Sequence, residues 1–199
     1  MFHHLPNLLC VLRILLAIPV AWLLLHGEYA LTLWVFAFAA VTDGLDGFLA
    51  KHFGWESELG KALDPLADKI LLVTAFVTLT IVSHVPVWLT AVVVARDLII
   101  SFGAIAYLKW FGPVNGHPTV ISKLNTLFQI TYVIVVVGVL AATQNGTQVK
   151  IPVANAMLPT VVVVLTTLVL VTTIASGIDY VATYLQRAMD VGRKRESAQ

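Results

Sequence analysis

Charge is what this sequence has least of: Asp, Glu, Lys and Arg make up 12% of its 199 residues, against about 25% in a typical soluble domain. So little charge cannot clothe a soluble globule, and the solvent for most of the chain is read as lipid. An excess of one sign is missing too. The net charge of +1 leaves no electrostatic footprint for nucleic acid or for a large acidic partner. Cysteine is nearly absent: Cys10 stands alone in an apolar run, which excludes an intrachain disulfide and argues against a thiolate metal centre. The histidines at 3, 4, 26, 52, 84 and 117 are scattered and form no ligand set. A secretory leader is not expected, because the chain opens on His3 and His4 rather than lysines. Its first apolar run, Leu8 to Leu25, also exceeds an h-region and has no small-residue cleavage site. An Arg- and Ser-rich organellar presequence is equally missing, which favours a bacterial inner membrane.

What fills the chain is hydrophobic sequence, 59% of it. A span needs ~20 mostly apolar residues to cross ~30 Å of hydrocarbon. Six stretches qualify: Leu8–His26, Tyr29–Ala50, Leu63–Ser83, Val87–Phe111, Val120–Ala142 and Ile151–Gln186. Within lipid every backbone amide must be bonded internally, so each is read as a helix. The expected fold is all-α: a polytopic membrane protein of six transmembrane helices, with 1–199 forming a single catalytic domain. The last stretch exceeds one membrane thickness and is expected to project into water or to break near Pro159. Lys51, Lys61, Lys109, Arg187, Arg193, Lys194 and Arg195 fall on the side of both termini, and only Lys150 on the other. The positive-inside rule makes that basic side cytoplasmic, in a multi-pass inner (plasma) membrane protein. The Arg193–Arg195 tail is suited to anionic headgroups.

Acids near a span are expensive and mark function by default. Four cluster where the second and third stretches meet the basic loop: Asp43 and Asp46, three apart, and Asp64 and Asp68, four apart. Each pair shares one helical face, about a turn apart. The polar loop between them lets the two helices pack antiparallel with these faces converging. Four carboxylates so close to lipid would repel one another and protonate unless a cation intervenes. Oxygen-only ligands suit Mg²⁺ or Mn²⁺, which usually pair carboxylates with substrate phosphates. Gly44, Gly47, Ala50 and Gly60 leave room for a ligand or a neighbouring backbone. Taken singly these positions have plainer explanations. A lone aspartate at a helix end is often a cap, as Asp64 before Pro65 would be, and spaced glycines often serve packing. The whole set on one template is what points to chemistry.

The template is D-x2-D-G-x2-A-[R]-x8-G-x3-D-x3-D, and it is matched at Asp43, Asp46, Gly47, Ala50, Gly60, Asp64 and Asp68. On these residues, and on Pro6-Asn7-Leu8-Leu9, Arg13 and Leu63–Lys69, the chain resembles the CDP-alcohol phosphatidyltransferases. One position departs: Lys51 stands where the family usually has arginine. The resemblance implies a six-helix fold, a homodimer, and a cavity open to the cytoplasm. It implies transfer of a phosphatidyl group from CDP-diacylglycerol to an alcohol with release of CMP. Asp43, Asp46, Asp64 and Asp68 would hold the metal, with Asp68 also the catalytic base. Gly47, Ala50, Lys51 and Gly60 would meet the donor nucleotide, Lys51 as a point charge without the arginine fork.

The acceptor is sought in the remaining intramembrane charges, Arg96-Asp97 and Ser122-Lys123. Arg96 either pairs with a nearby acid or faces an anionic acceptor, and Lys123 either snorkels or joins it. The acceptor-binding set is therefore Arg96, Ser122 and Lys123. The glycerol-3-phosphate branch of the family typically has a second arginine eight residues on, where this chain has Ala104. One cation fewer disfavours a phosphomonoester. The stretches Ala62–Ile70 and Pro118–Thr126 look more like the CMP-forming cardiolipin synthases, whose acceptor is phosphatidylglycerol. A transporter using intramembrane acids is the reading of another class. It expects acids at mid-membrane and helices broken there, rather than acids gathered at one end.

Overall fold

The computed structural model describes the backbone of residues 5–53, 58–111, 119–144 and 160–196, and side chains over 11–42, 69–103, 119–143, 160–183 and at Gln186. Six helices follow in order: α1 (Leu5–Leu25), α2 (Tyr29–Phe53), α3 (Glu58–Ile81), α4 (Val87–Phe111), α5 (Val120–Gln144) and α6 (Thr160–Glu196). Among the described residues there is no strand. Segments Val120–Thr143 and Thr160–Thr183 are long and apolar enough to cross a membrane; Val11–Leu25, Tyr29–Thr42 and Lys69–Ile81 are shorter apolar helices.

Two helix starts differ most from their expected places. α3 begins at Glu58, ahead of the apolar run, so Asp64 and Pro65 sit in the helix body. The capping explanation of Asp64 therefore falls, because a cap lies at the residue before the first turn. α6 starts at Thr160 and continues unbroken to Glu196, about 55 Å at 1.5 Å per residue. It outreaches a bilayer core by carrying its charged end as helix, while Pro159 lies outside the described residues.

Local turn chemistry closes one end of the bundle. After α1, the Gly27 amide donates to the Leu24 carbonyl at 3.2 Å and the Glu28 amide to that of Leu23 at 2.9 Å. Gly27 adopts φ 76°, the left-handed residue of a Schellman cap that glycine enters without steric penalty. After α3 the same pattern recurs, with Ser83 bonding Thr80 at 3.0 Å and His84 bonding Leu79 at 2.8 Å. Here Ser83 takes φ 62°. Tyr29 then joins the two turns, its hydroxyl 2.9 Å from His84 Nε2.

α1 packs against both α2 and α3, α5 against α2, α3 and α6, and α4 against α3 and α6. Among the described residues α2 and α3 do not pack directly on one another; the aspartate-bearing ends, where convergence is expected, lie outside the described side chains. The core gathers Val20, Leu24, Phe76, Leu79, Val133 and Val137, and the Phe76 and Tyr132 rings stack at 5.7 Å between α3 and α5. The outside is aliphatic and aromatic: Trp34 is 75% exposed, Val87 72% and Ile18 68%. Soluble monomers rarely expose such a continuous apolar surface, and lipid is the solvent it fits.

Candidate functional site

The motif lies on two helices that are regular through it. Asp43, Asp46, Gly47, Ala50 and Lys51 belong to the last turns of α2; Gly60, Asp64 and Asp68 belong to α3. Because the backbone is helical across both halves, each aspartate pair shares a face. The four side chains, and those of Ala50 and Lys51, lie outside the described residues. Among the described residues no group of three metal-ligating side chains occurs. The donor set offered by the motif is carboxylate alone, on i,i+3 and i,i+4 spacings, which suits a hard divalent cation and not a thiolate-seeking one.

Next along α2 and α3 from the motif is a cavity of about 130 Å³. Its walls are Arg13 of α1, Phe36, Ala39 and Ala40 of α2, Leu71 and Leu72 of α3, and Ile130 and Ile134 of α5. Ala39 and Ala40 precede Asp43 by about one turn, and Leu71 and Leu72 follow Asp68 by about one turn. The turns that border this cavity are thus the ones next along α2 and α3 to the two halves of the motif. Arg13, 2% exposed, brings a buried cation to its wall.

One residue beyond Asp68 the helices are tied by charge. Lys69 Nζ donates to Ser101 Oγ at 3.3 Å and stands 3.8 Å from Asp97 Oδ1. Arg96 Nη1 donates to the same oxygen at 2.6 Å. Arg96 Nη2 donates to Ser122 Oγ of α5 at 2.8 Å and to Ser176 Oγ of α6. Arg96 and Asp97 are 6% and 8% exposed, so theirs is a buried, hydrogen-bonded ion pair in which losing either member takes the nearest opposite charge from the other. Arg96 Nε is buried and has no partner among the described residues. Alongside, Asn125 Oδ1 accepts from Thr172 at 3.0 Å and Thr173 at 2.8 Å, extending the polar seam between α5 and α6.

Of the acceptor-binding set expected from sequence, the structure brings Arg96 and Ser122 together. Lys123 does not join them: it is exposed on α5, with no contact to the network among the described residues. Arg96 does pair with an acid, its own neighbour Asp97. Sequence reasoning missed Lys69, Ser101 and Ser176 as members. It also passed over Asp179, one turn after Ser176, whose Oδ2 is buried without a partner among the described residues. An acid within the apolar α6 was the available signal for Asp179; a serine in a membrane helix signals nothing by itself.

Comparison with known proteins meets the same residues. A family model described as CDP-alcohol phosphatidyltransferase matches residues 3–185. A CMP-forming cardiolipin synthase of Rattus norvegicus is 39% identical over 145 residues, 64% of this chain and 48% of the relative. A probable phosphatidylglycerophosphate synthase of Mycobacterium tuberculosis is 30% identical over 209 residues, 98% of this chain and 87% of the relative. A CDP-diacylglycerol–glycerol-3-phosphate 3-phosphatidyltransferase of Pseudomonas fluorescens is 42% identical over 105 residues, 49% and 53% of the two chains. The rat alignment spans about half of that relative's length. With its four aspartates on the matched segment, this chain belongs to the CDP-alcohol phosphatidyltransferase family.

Proposed function

We propose that the chain, as a single six-span domain, transfers the phosphatidyl group of CDP-diacylglycerol to phosphatidylglycerol and releases CMP. The observation that carries this is the contact of Lys69, next to Asp68, with the Arg96–Asp97 pair. It joins the aspartate helix to a buried cationic network on α4, α5 and α6, where an anionic acceptor would bring its hydroxyl towards Asp68. Asp43, Asp46, Asp64 and Asp68 would hold Mg²⁺ or Mn²⁺, which would neutralise the donor pyrophosphate and the charge on departing CMP. Gly47, Ala50 and Gly60 leave space for the nucleotide, and Lys51 meets a phosphate as a point charge. Asp68 accepts the proton of the acceptor hydroxyl. That oxygen forms the new bond to phosphorus, the bond from phosphorus to the CMP oxygen breaks, and the proton passes from Asp68 to solvent.

The choice of acceptor rests on charge and surface. Arg96 spends both terminal nitrogens on Asp97, Ser122 and Ser176, and Ala104 takes the place of a second arginine. Such a site matches a phosphodiester better than a phosphomonoester of nearly two negative charges. The second reading, glycerol-3-phosphate as acceptor, is favoured by the Mycobacterium tuberculosis relative, whose similarity covers 98% of the chain. In both, the basic side is cytoplasmic and a homodimer is the assembly proposed. The test is product analysis of the purified protein with labelled CDP-diacylglycerol and Mn²⁺, each acceptor offered separately. Cardiolipin from phosphatidylglycerol alone upholds the first reading; phosphatidylglycerophosphate replaces it with the second. No CMP with any acceptor rejects both.

A further inference from the structure

Between α4 and α6, on the outer face of the bundle, lies a cleft of about 530 Å³, within the range of about 300–1,000 Å³ usual for ligand sites. Val92, Ala95 and Ile99 form one wall, and Ile174, Ile178 and Val181 the other. Ile99 is 53% exposed and Ile178 65%, so these walls face whatever surrounds the protein. Gly177 lies in the lining, where a Cβ would stand 3.7 Å from Arg96 Cγ. An alanine would fit there at ordinary contact distance; a large side chain would fill the space. Arg96 itself is in the lining, and its guanidinium, with Nε unpartnered among the described residues, belongs to the polar network on the inner side.

We infer that this cleft holds an acyl chain of an anionic phospholipid whose headgroup lies at Arg96; resting on the function proposed above, that lipid is the phosphatidylglycerol acceptor. The chemistry is that of an amphiphile. Aliphatic walls along Thr173–Ala182, about 14 Å of helix, run beside the stem of Arg96, whose guanidinium is buried on the inner side of the same seam. A water-soluble phosphomonoester has no use for such walls. A helix from a second copy would cover them but bring no anion for Arg96, whose Nε has no partner among the described residues. Lateral entry also suits an acceptor that never leaves the bilayer, since its headgroup reaches the Lys69–Arg96 network while its tail stays in lipid.

The experiment is photo-crosslinking of the full chain in phosphatidylcholine nanodiscs, with phosphatidylglycerol carrying a diazirine on one acyl chain, and adducts mapped by peptide mass spectrometry. Adducts at Ile99, Ile174 or Ile178, displaced by unlabelled phosphatidylglycerol but not by added phosphatidylcholine, are expected. Gly177→Phe and, at an exposed position, Ala95→Phe should each abolish them, while Gly177→Ala keeps them. For phosphatidylglycerol the two blocking variants should raise KM about tenfold, with KM for CDP-diacylglycerol unchanged. Ala95→Phe guards against misfolding at the more enclosed Gly177. Labelling that phosphatidylcholine displaces equally means annular lipid and overturns the inference. Conversion of a dimer to a monomer by Ala95→Phe, without loss of a lipid adduct, assigns the cleft to a second copy and overturns it too. If the protein uses glycerol-3-phosphate alone, the acceptor reading falls separately; phosphatidylglycerol-selective adducts then sustain an anionic-lipid site, and unselective ones reject it.

Discussion

The end of the bundle closed by the α1–α2 and α3–α4 turns and the end carrying the aspartates are built by different chemistry. At the closed end, backbone amides cap backbone carbonyls within each turn, and one hydrogen bond from Tyr29 to His84 joins the turns. No formal charge takes part in that bond. Towards the aspartate end, α3, α4, α5 and α6 are joined by Lys69, Arg96, Asp97, Ser122 and Ser176. Each of these charges is worth keeping only while its partners remain, because an unpaired ion in a dry interior is penalised by several kcal/mol. The closed end can therefore be stable without function. The charged end is stable only in one arrangement, the one that in the proposed reaction also holds the cations near an anionic acceptor.

The largest effect that tests this division is chemical. Asp68→Asn should lower turnover by about 10³-fold, within the usual worth of a positioned base, while thermal unfolding of the closed end stays unchanged. The readout is CMP release from CDP-diacylglycerol with Mn²⁺, beside a melting curve in the same detergent. Activity near that of the unmodified protein would remove Asp68 as the base and leave the aspartate end without its assigned chemistry.

Next in size is the network itself. Arg96→Ala leaves Asp97 with only the more distant Lys69 and takes the donor from Ser122 and Ser176, and should destabilise the fold by about 3 kcal/mol, the lower end of what breaking a buried pair costs. Arg96→Lys keeps the charge but reaches fewer of the three oxygens that the guanidinium now bridges, so it should recover only part of that loss. Chemical or thermal unfolding of both variants decides it. If Arg96→Ala melted like the unmodified protein, the four-helix tie would not be holding that end together.

A smaller effect belongs to the closed end. Burial lowers the His84 imidazole below its ordinary value, about 6.5 in an exposed histidine. The unfolded chain therefore takes up the proton before the folded one does, and stability is complete above pH ~6.5 and declines as pH falls through the window below it. The melting temperature should drop between pH 7.5 and 5.5, and a His84→Gln variant should lose much of that dependence. An equal drop in the variant would assign the acid sensitivity to the aspartate end instead.

The two ends also differ in how far they could be read from sequence. Helices α2, α4 and α5 begin where the apolar runs do, at Tyr29, Val87 and Val120, because hydropathy changes sharply at those positions. Gly27 and Pro86 stand between apolar runs and suit the closing turns by their chemistry, φ freedom in one and a fixed φ in the other. Where helix outruns lipid the signal fails. Glu58–Ala62 and the charged end of α6 are helical with no apolar run to show it. The four aspartates were legible because their spacing is local to two helices. Lys69 with Asp97, and Arg96 with Ser176, were not, since they depend on how whole helices are rotated about their axes, which periodicity along one helix does not encode. Arg96 and Ser122 could be named from the scarcity of polar groups in spans, but the same reasoning named Lys123, which faces outward.

The smallest expected effect returns to the closed end and asks whether its two caps are equally relaxed. Both close a helix through a left-handed residue, but Gly27 has no Cβ and Ser83, at φ 62°, does. The left-handed region costs an L-residue about 1–2 kcal/mol. Ser83→Gly removes that penalty, while the extra freedom of glycine in the unfolded chain returns up to about 1 kcal/mol of it. The net expectation is a gain of a few tenths to 1 kcal/mol, with catalysis unaltered because Ser83 lies across the bundle from the aspartates. Gly27→Ser should move stability the other way by a similar amount. Guanidine or thermal melts of the two variants, compared at pH 7.5 where His84 is neutral, make the measurement. If Ser83→Gly were destabilising, the Ser83 side chain would be contributing to the turn more than its backbone strain removes, and the two caps would not be equivalent devices.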